Sequence, residues 1–137
     1  MERSMRADLM VQQQVGSKWQ HMVGVICLNK TRREKVKKIL PAFFKKFPTA
    51  LHLLKSNKEE VAEMLKDLGM KHVRANRIWR MSEDYLGWDG VDATKLFGIG
   101  KYGSDAYRIF VKDEWREVTP TDSALKNYKK WMEEPNA

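Results

Sequence analysis

The stretch "LFGIGKYGSDAYRIF", residues 96–110, sets Gly98, Gly100 and Gly103 around Lys101 and Tyr102 and then runs into an apolar pattern of helical period. A chain with only 8 glycines in 137 residues has placed three of them within six positions. Glycine is used where the backbone must take positive φ or where another group must approach it closely. "ATKLFG" before the cluster and "SDAYRIFVK" after it both read as helices. Two helices joined by a tight Gly-Ile-Gly turn, with Ile99 plugging the turn into the core, form a helix-hairpin-helix. The turn leaves backbone N–H groups facing outward, and the next helix adds its own amide end and positive dipole. Such a corner suits a backbone phosphate held without regard to base sequence. An ordinary helix–helix corner is the plainer reading, but it needs one glycine rather than two around an aliphatic residue. A dinucleotide-binding loop is excluded, because that glycine pattern must follow a strand.

Outward from the hairpin, helical period recurs. Trp19, Met22, Val23, Ile26 and Cys27 fall on one stripe, and Val36, Ile39, Leu40, Phe43, Phe44 and Phe47 on another. Pro41 interrupts the second stripe and is expected to bend its helix. "SNKEEVAEMLKDLG" predicts one short helix, with Ser56 and Glu59 as a capping box and Gly69 closing it. "KHVRANRIWRMSEDYL" predicts another, "GWDGVD" a loop, "DEWREVTPTD" a loop, and "SALKNYKKWMEE" the last helix. No alternating strand pattern, repeat or low-complexity linker is present. The expected fold class is all-α.

Composition narrows the function. The length fits one domain, or two small lobes around one cleft. No apolar run approaches a membrane span, and the first ten residues lack the apolar core of a signal peptide. The single cysteine, Cys27, excludes a disulfide framework and a four-cysteine metal or iron–sulfur site. A soluble intracellular protein is expected, without cofactor or metal. The net charge of +8 favours a polyanionic partner. "KTRREKVKK", residues 30–38, concentrates that charge, with Glu34 its one acid. By itself such a run is as well explained by a solvated helix face.

The hairpin, the downstream "VTPTD", and the upstream "VICLNKT" and "LKDLGMKHVRANRI" together resemble the helix-hairpin-helix DNA glycosylase superfamily. Within it they are most similar to the catalytic domain of the methyl-CpG-binding-domain-linked thymine/uracil mismatch glycosylases. The resemblance covers residues 9–133 or so, with several motifs in the same order. It implies a two-lobed helical bundle with a central DNA-binding cleft, acting as a monomer on double-stranded DNA that carries a mismatched or damaged base. As one catalytic domain over 1–137, it would comprise a bundle at 18–113 with the hairpin at 96–110, and a second lobe from 1–17 plus 114–137. The implied activity is excision of thymine or uracil opposite guanine, the first step of base excision repair. A same-fold enzyme for adenine or for an oxidised or alkylated base is a second reading. A non-catalytic phosphate clamp is a third, against which the pairing of Tyr102 with Asp122 counts.

The resemblance also assigns roles. Asp122 matches the catalytic aspartate, although an aspartate before "SAL" is by itself a helix cap. Tyr102 stands where lyase-active members carry a nucleophilic lysine, which implies a monofunctional enzyme and a tyrosine lining the base pocket; a tyrosine at a helix start also serves simple packing. DNA contact is implied for Gly98, Ile99, Gly100, Lys101 and Gly103 of the hairpin, and for Lys30, Thr31 and Arg74. Met70 matches the leucine that fills the hole left by a flipped nucleotide, or else completes the Gly69 cap. Lys30 stands in place of an arginine, and Ala124 in place of a lysine after the aspartate. Gln12 matches a pocket glutamine with a one-residue slip in register.

Overall fold

A computed structural model describes residues 17–133. Among these the regular structure is helical, with no strand, as the periodicities require. The helices are α1 (Lys18–Leu28), α2 (Arg33–Lys46), α3 (Ala50–Leu54), α4 (Lys58–Met64), α5 (Lys71–Leu86), α6 (Lys101–Phe110) and α7 (Ser123–Glu133). Single 3₁₀ turns occupy Lys66–Leu68 and Ala93–Lys95.

α1 is the centre of the molecule. Ser17 caps it by accepting from the Gln20 amide, and α2, α5 and α6 pack around it. Enclosure on three sides buries His21, Gly24 and Val25 as well as the predicted stripe. The Trp19 indole donates to Ser82 Oγ of α5 at 2.9 Å, satisfying its one polar atom inside the core. α2 continues through Pro41, contrary to the expectation of an interruption; the residue is exposed, so the missing amide lies on the solvent side. Its inner face supplies Phe43, whose ring meets Phe44 at 5.7 Å and Phe47 at 5.2 Å, edge on.

Three predicted helices came out differently. α4 is capped by Asn57, which accepts from the Glu60 amide at 2.9 Å, while Ser56 Oγ donates back to Leu53 O at 2.6 Å. Asn57 and Glu60 repeat the spacing of Ser56 and Glu59 one residue later, and asparagine is as strong a cap as serine. The helix ends at Met64, and a 3₁₀ turn leads to Gly69 at φ 79°. "ATKLFG" forms only the 3₁₀ turn Ala93–Lys95, because Asp92 accepts from Thr94 and Asp84 of α5 takes the Phe97 amide at 2.9 Å. α6 in turn starts at Lys101, earlier than Ser104.

The buried apolar side chains form two clusters. The larger gathers α1–α5 with Leu96, Ile99 and Tyr107; the smaller joins Ala106 and Ile109 to Trp115, Val118 and Leu125. α6 therefore contributes to both.

His21 lies between these helices, 1% exposed, and neither ring nitrogen has a hydrogen-bond partner among the described residues. Burial pushes its imidazole down to about 4. The unfolded chain takes up this proton near pH 6.5, whereas the folded chain resists until about pH 4. Stability from this group is therefore complete above pH 6.5 and is lost as pH falls toward 4. The loss reaches about 3 kcal/mol. Denaturant midpoints measured between pH 7.5 and 4.5 should show this fall, and His21→Leu should flatten it. An unchanged slope in the variant would remove His21 as the cause.

Candidate active site

The hairpin follows from its glycines in different ways. Gly98 takes φ 81°, a conformation that disfavours any side chain. Gly100 caps α6, and a Cβ there would meet nothing within 4 Å, so the backbone is open on that side. Gly103 is a packing glycine instead: a Cβ would stand 2.7 Å from Ile99 Cγ2 and 2.9 Å from Val25 Cγ1. Ile99 itself is 5% exposed, plugged into the core as predicted. Ile99 and Gly103 are thus buried in the core, while Gly98 and Gly100 are exposed. Gly103→Ala should cost about 1–3 kcal/mol in denaturant unfolding through overpacking, and a cost near zero would contradict this contact.

The hairpin forms one wall of a cleft of about 730 Å³. α1 and its following turn supply Val25, Ile26, Leu28, Asn29 and Lys30; α2 supplies Arg33; α5 supplies Arg77; and α7 brings Asp122 and Ala124. Phe97, Gly98, Gly100, Lys101, Tyr102 and Gly103 complete the lining. Among the lining residues Lys30, Arg33, Arg77 and Lys101 are cationic, and Asp122 is the one carboxylate. Asp122 reaches this position as the residue before α7. Its Oδ2 accepts from the Leu125 amide at 3.0 Å and its carbonyl from Lys126 at 2.9 Å. The cap role is therefore real, and the same residue lines the cleft.

The structure brings Lys30, the hairpin, Tyr102 and Asp122 together. It treats the remaining predicted residues differently. Arg74 is not available to DNA as expected: it is 2% exposed, and its guanidinium donates to Gly69 O at 2.8 Å, Cys27 O at 2.9 Å, Ile26 O at 3.4 Å and Thr31 Oγ1. Thr31 is thereby committed to the same clamp, with its hydroxyl also against Asn29 O. The Lys101 ammonium is held by Asp105 Oδ2 at 2.8 Å and Thr119 O at 3.0 Å. Met70 is 48% exposed at φ 50°, preceding α5, so it stands out from the Gly69 cap rather than covering it. Gln12 lies outside the described residues.

Sequence reading missed Arg33 and Arg77. Arg33 was hidden in the basic run, and Arg77 carried only the helical offset of three from Arg74 as a signal. In the structure a Cβ on Gly98 would lie 3.8 Å from that of Arg77, which places this arginine against the hairpin turn. Cys27 is fully buried with its thiol pushed up to about 12, which makes it inert as a nucleophile. Among the described residues no group of three metal-ligating side chains occurs, and no helix is long and apolar enough to cross a membrane.

An all-helical domain with a glycine hairpin on a cationic cleft that holds one carboxylate is an arrangement suited to a phosphate backbone. The sequence matches the HhH-GPD superfamily base excision DNA repair proteins over residues 23–134, and the chain belongs to that superfamily. It is similar to a methyl-CpG-binding domain protein 4-like protein of Arabidopsis thaliana, 33% identical over 110 residues, or 80% of this chain and 25% of the relative. It is also similar to a thymine/uracil-DNA glycosylase of Pyrobaculum aerophilum, 31% identical over 96 residues, 65% of this chain and 42% of the relative. The chain thus spans less than half the length of either protein.

Proposed function

We propose that this chain is a monofunctional DNA glycosylase that flips thymine or uracil out of a mispair with guanine and hydrolyses its N-glycosidic bond. The observation that carries this reading is Asp122, the one carboxylate lining a cationic cleft built around the hairpin. Lys30, Arg33, Arg77 and the amide end of α6 suit the phosphates of a bent strand. Departure of the base leaves positive charge on the deoxyribose. A fixed carboxylate stabilises that charge or orients the water that attacks the anomeric carbon. Tyr102 lines the pocket in place of an amine nucleophile, and the ammonium of Lys101 is engaged by Asp105 and Thr119. The reading is supported further by the similarity to the thymine/uracil-DNA glycosylase of Pyrobaculum aerophilum.

Selectivity for the mispair follows from the cost of extrusion. Flipping a nucleotide takes a few kcal/mol, and least where its pairing is already faulty. A G·T or G·U wobble is closer to that state than A·T, and the exposed Met70 suits filling the vacated stack. The test is single-turnover assay on duplexes with G·T, G·U, A·T, and oxidised or alkylated bases, with borohydride added in parallel. Release from G·T and G·U, strand breaks only after alkali and no trapped adduct are expected. Equal rates on A·T and G·T, or a covalent adduct lost in Lys101→Met, would overturn the mismatch or the monofunctional part respectively.

A further inference from the structure

The segment that delivers Asp122 to the cleft, residues 111–122, has no helix or strand of its own. Trp115, Val118 and Pro120 anchor it from below, but its carbonyls are gripped by two lysines from the flanking helices. Lys129 of α7 donates to Val118 O at 2.5 Å and Arg116 O at 3.3 Å. Lys101 of α6 donates to Thr119 O at 3.0 Å, three residues before Asp122. We propose that Lys101 is a positioning residue for Asp122, a tether from the hairpin to the loop that carries the carboxylate, rather than a contact to phosphate. This rests on the reading of Asp122 as the catalytic group.

The geometry explains why a lysine next to the hairpin would serve in this way. Asp105, one turn further along α6, is 7% exposed and grips the ammonium at 2.8 Å. A buried carboxylate holds one end of a charge-assisted bond and so aims the ammonium at the Thr119 carbonyl. Two of its three protons are then used within the protein. The same contacts join the smaller core cluster's loop to the wall of the cleft that binds the strand.

The test uses the full chain. Lys101→Met should lower single-turnover base release about 10–100-fold, the scale expected when a reacting group is misplaced by about an ångström. Affinity for the same duplex and the slope of affinity against salt should stay unchanged, and amide exchange across residues 117–122 should quicken. Lys101→Arg, which keeps a donor able to bridge both acceptors, should recover most of the rate. Because Lys101→Met leaves Asp105 buried without its partner, the double variant Lys101→Met/Asp105→Asn is measured beside it and should show the same rate defect. A salt slope smaller by about 0.9, with weaker binding and unchanged exchange, would make Lys101 a phosphate contact and overturn the proposal. So would unaltered rate and exchange. If the wild-type chain releases no base from any duplex, the glycosylase reading fails separately. The exchange measurement still decides the tether: quickened amides support it and unchanged amides reject it.

Discussion

Asp122→Asn is expected to reduce single-turnover base release by about 10²–10³-fold or more, while duplex binding and folding stability stay near wild type. The substitution separates the two things Asp122 does. Its Oδ2 accepts from the Leu125 amide and caps α7. Asparagine caps a helix as well as aspartate does, so that bond and the helix survive. What disappears is the negative charge, the only one among the residues that line the cleft. An amide cannot stabilise a developing sugar cation or take a proton from water. Asp122→Ala, by contrast, removes cap and charge together and should add about 1 kcal/mol of instability. The measurement is excision on a G·U duplex with enzyme in excess, together with a denaturant curve for each variant. If Asp122→Asn retains near wild-type rates, the carboxylate is only a cap and the catalytic group lies elsewhere in the cleft.

How much of this was legible in the chain depended on whether the deciding contact was local. α5 came out over the predicted span, Lys71–Leu86, because period, length and the following Gly87 all agree within one segment. α4 slipped by one residue because Ser56 and Asn57 are both competent caps, and Leu53 O claimed the serine. The helix predicted over "ATKLFG" shrank to a turn because the Phe97 amide is taken by Asp84, thirteen residues back on another helix. The site divides in the same way. The hairpin glycines and Asp122 carry strong local signals, a positive-φ turn and a helix start. Arg33 and Arg77 carry only charge, which most surface arginines share, so nothing in their neighbourhoods marked them as lining the cleft. Lys101 and Arg74 were expected on DNA because each sits in a motif, and nothing local signalled the acceptors each also has far along the chain: Thr119 for one, and Cys27, forty-seven residues away, for the other.

Arg74→Met should cost about 3 kcal/mol of folding stability, a large share of what a domain this size possesses, and should lower the melting temperature by roughly 10 °C. α1 ends with no basic residue in its own last turn. Arg74, from the first turn of α5, supplies the missing cation, donating to the Ile26 and Cys27 carbonyls at the negative end of the α1 dipole. The same guanidinium reaches Gly69 O and Thr31 Oγ1, so it fastens the turn bearing Met70 to the turn bearing Lys30. Methionine fills similar volume but donates nothing. The Ile26 carbonyl keeps the Asn29 amide, whereas those of Cys27 and Gly69 lose a buried charged donor. Lysine should recover only part of the loss, since one ammonium cannot reproduce a planar fork that serves four acceptors. A buried clamp predicts that any weakening of duplex binding, measured where the variant is still folded, leaves the salt slope at its wild-type value. Stability within 1 kcal/mol of wild type together with a slope reduced by about 0.9 would return Arg74 to the DNA surface where its motif first suggested it.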